Sequence, residues 1–303
     1  MAKVPRQIAA FLGSDDPAVM KTWLSLSVAG GLSAVAVLPY SLEMSNITLE
    51  ELNKQLAAQG KKPASMKTIV GGALVQGPAM FALVSGLGLR AARPMGMGAP
   101  HLERVMRGKS AGISGQDAAK WAARGLAAGL VIAGLDRTVF AGVAEKLKQS
   151  GIKQPPAWKG LLATLYGGIG EELLLRLGML SFLAAGLRKL TGDRSKPPSA
   201  GVMLPATVLA ALLFGAGHLP AVARLAKIDG PLVVRTLALN GIAGVQFGLL
   251  YWKNGLEAAM ISHGAADIVL HVLGPLVEGT GKKQNEEGQA APQQEAAYLS
   301  LSE

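Results

Sequence analysis

Gly168-Ile169-Gly170-Glu171-Glu172-Leu173-Leu174-Leu175-Arg176 decides how the rest of the chain is read. Two adjacent carboxylates and an arginine sit in a run that is otherwise apolar from Leu161 to Leu187. Ionisable groups in such a setting are expensive, so they pair with something or perform a task. On a helix Glu172 and Arg176 are four residues apart, share one face and form an ion pair. Glu171 lies about 100° further round and has no partner within the segment. Spacing therefore assigns Glu172 to structure and leaves Glu171 available.

Outward from this stretch the chain keeps the same character. It has 303 residues of which only 17% are charged, with a mean hydropathy of +0.33; soluble chains carry roughly 25% charge. Thr22 to Leu42, Thr68 to Leu89, Pro197 to Gly217 and Thr236 to Trp252 contain no Asp, Glu, Lys or Arg. Uncharged apolar runs of about 20 residues are what bilayer-spanning helices need. The expected fold class is all-α, a polytopic transmembrane bundle of about seven to eight membrane helices around a polar intramembrane cavity. The net charge of +10 is read as loop Lys and Arg that set topology and meet anionic lipid headgroups, not as a nucleic-acid surface. Absence of cysteine excludes disulfides, thiol chemistry and Cys-ligated metals.

Three regions are expected. Residues 1–150 form an N-terminal membrane region of about three spans. The first, Thr22 to Leu42, is read as a retained span; the polar leader before it contains Asp15 and Asp16, unlike a signal peptide. The third is placed at Gly125 to Ala144, after a basic loop from Arg90 to Arg124. Residues 151–277 form the reactive membrane core, and residues 278–303, rich in Gln, Glu and Ala, read as a disordered polar tail. The distribution of Lys and Arg leans towards a cytoplasmic N-terminus.

The core gathers the ionisable residues. Glu171, Glu172, Arg176, His218, His263, Asp267 and His271 all fall within apolar segments, and three of them are among the chain's four histidines. Phe214 and His218 share a helix face, as do His263 and Asp267. A carboxylate in a low-dielectric site suits proton abstraction from water, while imidazoles relay protons or donate to a developing oxyanion. Hydrolysis, proton transport and a structural role all remain open from the residues alone. The chain has neither H-E-x-x-H nor G-x-S-x-G. Ser262 and His263, as helix neighbours, point about 100° apart and make a poor dyad. Zinc held by Glu171, His218 and His263, with Asp267, stays a chemical alternative to a metal-free site.

Glu171-Glu172-Leu-Leu-Leu-Arg176, Phe214-Gly-Ala-Gly-His218 and His263-Gly-Ala-Ala-Asp267 fall in order on successive apolar segments. This pattern resembles the CPBP intramembrane proteases, prokaryotic relatives of the endopeptidases that cleave prenylated CAAX proteins. Gly248-Leu-Leu-Tyr-Trp-Lys-Asn-Gly-Leu256 is similar to that family's lead-in to its last motif. The resemblance runs from Leu161 to Val277. It implies a glutamate-dependent, metal-free endopeptidase in a prokaryotic inner membrane, acting on a membrane-associated protein or peptide. Glu171 would be the general base, His218 would help activate the water, and His263 and Asp267 would take the oxyanion positions; Glu172, Arg176 and Phe214 would support them. Two departures stand out: Leu175 and Leu177 flank the arginine where the family often has an aromatic and a glycine, and Asp267 stands where many members carry Asn. An ionised carboxylate repels an oxyanion, so Asp267 is expected to be protonated or to orient His263. A non-proteolytic scaffold or immunity protein of the same fold is the alternative function.

Overall fold

Helix caps and apolar runs together set the element order. The computed structural model describes residues 3–45, 48–149 and 155–277, so the expected tail at 278–303 lies outside the described residues. The helices are α1 (Arg6–Leu12), α2 (Pro17–Ala36), α3 (Leu38–Met44), α4 (Leu49–Ala58), α5 (Met66–Ala92), α6 (Pro100–Met106), α7 (Gly115–Arg137), α8 (Ala141–Gln149), α9 (Ala157–Leu165), α10 (Ser181–Thr191), α11 (Ala200–Ala223), α12 (Gly230–Asn254) and α13 (Leu256–Asp267). Asp16, Ser65, Ser114 and Asp229 each accept a backbone N–H at the start of a long helix, the usual satisfaction of an orphan first-turn donor. No strand occurs among the described residues.

Among the described residues six helical spans are long and apolar enough to cross a membrane: Pro17–Met44, Met66–Met95, Gly115–Arg137, Ala200–Ala223, Gly230–Asn254 and Leu256–Val277. A seventh helical run, 157–191, is continuous but changes pitch, with π-helical turns at Tyr166–Glu171 and Leu173–Leu180 between α9 and α10. Its i→i+5 hydrogen bonds widen the helix where the two glutamates sit, a placement common at functional sites. The outward faces carry large apolar side chains such as Leu32, Val75, Leu130 and Leu212, which fit hydrocarbon rather than water. The chain is an integral membrane protein.

One span differs from expectation. α7 begins at Gly115 and ends at Arg137, where the sequence reading ran from Gly125 to Ala144. Ser114 caps the helix through the Asp117 N–H, and its hydroxyl donates to the Asp117 carboxylate, so Lys120 and Arg124 belong to the helix rather than to the loop. Asp136, near the far end of α7, forms a two-point ion pair with Arg235 of α12, at 2.7 and 2.9 Å.

Close approach of α7 to α13 depends on glycine. A methyl at Gly125 would lie 1.9 Å from the Ser262 carbonyl oxygen, and one at Gly129 2.8 Å from that of Ala266. On the other flank, a methyl at Gly160 would meet the His271 carbonyl oxygen at 1.8 Å. Helix α13 and its π-helical extension Ile268–Leu273 are thus held between α7 and α9 without slack, which small residues permit between membrane helices. At one end of the bundle the loop after α5 meets the turn between α12 and α13: Leu256 N–H donates to the Gly98 carbonyl at 2.9 Å. Gly255 has φ of +92°, and a methyl there would strike the Pro100 ring at 2.6 Å, so the tight turn read from Asn254-Gly255 requires glycine for two reasons.

Candidate active site

Glu172 is the hub. Its side chain is fully buried, and one oxygen accepts from both Arg176 Nη1 at 2.8 Å and His263 Nδ1 at 2.7 Å. The i, i+4 ion pair expected from spacing is present. Spacing could not reveal the second partner, which lies across helices. Arg176 donates also to the Gly244 carbonyl at 3.1 Å, and its guanidinium lies 5.2 Å from the Phe214 ring and 5.3 Å from Phe247. Two charges removed from water are thus compensated by each other and by hydrogen bonds and aromatic faces. Glu172 Oε2 has no hydrogen-bond partner among the described residues.

The ring of His263 is fixed on several sides. It stacks on Phe247 with centroids 4.5 Å apart and meets Phe214 edge-on at 6.2 Å. Since carboxylate oxygens only accept, Nδ1 carries the proton donated to Glu172. Nε2 then faces two carboxylates, Glu171 at 3.7 Å and Asp267 at 3.6 Å. Asp267 was expected either to be protonated or to orient His263 from one turn away; at 3.6 Å it makes no hydrogen bond to the ring, whereas Glu172 does at 2.7 Å. Glu171 keeps 21% side-chain exposure, against 10% for Asp267 and 0% for Glu172. Of the three carboxylates, only the one without an ion-pair assignment in the sequence retains appreciable access.

His218 lies on α11, one turn beyond Phe214. Its ring packs edge-on against Phe214 at 4.8 Å, and its Nδ1 donates to the Phe214 carbonyl at 2.9 Å. That bond leaves Nε2 as its open nitrogen. Among the described residues no ion pair within 4.0 Å joins His218 to Glu171; the contacts above link Glu171, Glu172, Arg176, Phe214, His263 and Asp267, and His218 joins them through the Phe214 ring. No group of three or more His, Asp or Glu among the described residues is arranged to hold a metal ion.

Several contacts were not legible beforehand. Tyr40 of α3 shares a hydrogen bond of 3.1 Å with His271 Nδ1, and His271 Nε2 lies 3.9 Å from Asp267. The first span thereby reaches the same cluster. Gly167 presses on it directly: a methyl there would lie 2.0 Å from Asp267 Oδ2 and 3.1 Å from His263 Nε2. Two cavities, of about 520 and 380 Å³, share Pro100 in their lining, and neither is lined by Glu171.

No curated protein and no solved structure matches the chain. A family model does match residues 153–269, that of the Rce1-like, type II CAAX prenyl endopeptidase Rce1-like proteins. The match takes in Glu171, Glu172, Arg176, Phe214, His218, His263 and Asp267, and excludes Tyr40 and His271. The segment 153–269 is therefore Rce1-like, similar to the type II CAAX prenyl endopeptidases.

Proposed function

We propose that this chain is an intramembrane endopeptidase that hydrolyses a peptide bond of a membrane-associated protein or peptide, with Glu171 as general base. The observation that carries this reading is the placement of Glu171. It is the accessible carboxylate of a buried cluster and faces the free nitrogen of an imidazole whose other nitrogen is bonded to Glu172. The resemblance to CAAX-type endopeptidases supports the reaction class, and the motif resemblance to the prokaryotic CPBP proteases is the ground for proposing an inner membrane.

In this scheme Glu171 removes a proton from a water as the water oxygen adds to the scissile carbonyl carbon. The carbonyl electron pair moves onto oxygen. His263, protonated on both nitrogens, donates Nδ1–H to Glu172 and Nε2–H to the oxyanion. His218 holds its Nδ1 proton on the Phe214 carbonyl, so Nε2 is left to accept a hydrogen bond from the attacking water. Glu171 then returns its proton to the departing nitrogen as the C–N bond breaks, giving a carboxylic acid and an amine. Asp267 faces the same nitrogen as Glu171; as the protonated acid it contributes a second donor rather than a repelling charge.

The test uses a quenched fluorescent peptide ending in a CAAX sequence, with and without a prenyl group, and the purified chain in vesicles. Cleavage that disappears on chelation and returns with added zinc would replace this mechanism by a metal-dependent one. Cleavage insensitive to chelator and abolished by Glu171→Gln is the expected result.

A further inference from the structure

The larger of the two cavities shares no lining residue with the polar cluster and has a different chemistry. It occupies about 520 Å³ where α1, the end of α5 and α6 meet, and four arginines line it: Arg90, Arg93, Arg104 and Arg107. Two carboxylates offset them. Glu103 lies 3.3 Å from Arg93 Nε and 3.6 Å from Arg107 Nη2, and Asp16 pairs with Arg107 at 2.5 Å. Arg104 Nε donates to the Ser110 carbonyl at 3.1 Å, and Arg90 Nη1 donates to the Ala10 carbonyl and, at 3.2 Å, to that of Phe11. Four guanidinium charges against two carboxylates leave two positive charges in excess.

These contacts engage one nitrogen on each guanidinium, while a guanidinium carries five N–H donors. Hydrogen-bonding capacity therefore remains in the wall of a space large enough for a headgroup. The cavity uses arginine throughout and no lysine, the choice that suits planar, two-point recognition of phosphate oxygens. Its height in the molecule matters as much. Arg90 and Arg93 end the span Met66–Met95, and Leu12 and Gly13 precede the span Pro17–Met44, so the opening lies at the level of the membrane surface. Basic pockets between spans at that level take anionic headgroups.

We infer that this cavity binds a phosphate-bearing anion, delivered by an anionic phospholipid headgroup. The experiment reads thermal unfolding of the full chain in nanodiscs of phosphatidylcholine titrated with phosphatidylglycerol, and separately with inorganic phosphate. Wild-type protein should gain stability saturably with phosphatidylglycerol. Arg93→Gln/Arg104→Gln should weaken the apparent affinity about 100-fold or more, two lost charge-assisted contacts at roughly 1.5 kcal/mol each giving that factor at about 1.4 kcal/mol per tenfold. Glu103→Gln removes a competing carboxylate and should bind more tightly, a gain that a merely misfolded variant does not give. Saturation by inorganic phosphate at the same variant-sensitive site, without a phosphatidylglycerol effect, would overturn the lipid source. Equal responses of wild type and all variants would overturn the site.

Discussion

Replacing Gly167 by alanine is the sharpest perturbation the geometry offers. The added methyl would lie 2.0 Å from Asp267 Oδ2 and 3.1 Å from His263 Nε2, whereas non-bonded carbon prefers about 3.5 Å or more. Something must move by more than 1 Å. Helix α13 has no room to retreat, because Gly125 and Gly129 of α7 already meet its backbone behind Ser262 and Ala266. The displacement therefore falls on the Asp267 carboxylate and the His263 ring. Overpacking of this kind costs about 1–3 kcal/mol, and a 1 Å misplacement at a reacting centre costs on the order of 100-fold in rate. Gly168→Ala is the matched control: its methyl would meet the Met260 carbonyl oxygen at 3.3 Å, a contact that a small adjustment relieves. Alanine also regains about 0.5–1 kcal/mol over glycine within a helix, so the control should unfold at or near the wild-type temperature. The assay is peptide cleavage in vesicles together with thermal unfolding. Wild-type activity and stability in Gly167→Ala would refute the packing argument around Asp267.

Other consequences are more local. Glu172→Gln removes the charge shared by Arg176 and His263 and leaves a buried guanidinium uncompensated, so it should destabilise by about 3–5 kcal/mol; an unchanged unfolding temperature would contradict the hub role. Tyr40→Phe removes the hydroxyl bonded to His271 Nδ1 and should cost about 0.5–1.5 kcal/mol, readable as a small fall in unfolding temperature with a few-fold loss of cleavage. No change in either quantity would mean that the first span does not support the cluster.

What the sequence disclosed and what it withheld divide along chain distance. Glu172 with Arg176, and His263 with Asp267, are one helical turn apart, so periodicity alone paired them. The bond from His263 to Glu172 spans 91 residues and that from Tyr40 to His271 spans 231; no local pattern announces either. Tyr40 sits in an apolar run whose composition reports only a membrane span. His271 was visible as an ionisable residue one turn beyond Asp267, yet nothing placed it beside the first span. Gly167 is one glycine among 39, and its importance comes from the π-helical turn and the approach of α13, neither of which leaves a signature in composition. The start of α7 was legible, because Ser114 followed three residues later by Asp117 is a capping signal; the basic residues Lys120 and Arg124 masked it by suggesting loop.

The central claim is that Glu171 activates water while Glu172 holds the histidine beside it. Glu171→Gln keeps the shape and removes the base. Cleavage rate of the variant, measured beside its unfolding temperature in the same vesicles, tests this most directly. The account predicts a rate reduced at least about 100-fold, as loss of a general base typically gives, with unfolding unchanged. Wild-type cleavage by a folded Glu171→Gln protein would contradict it.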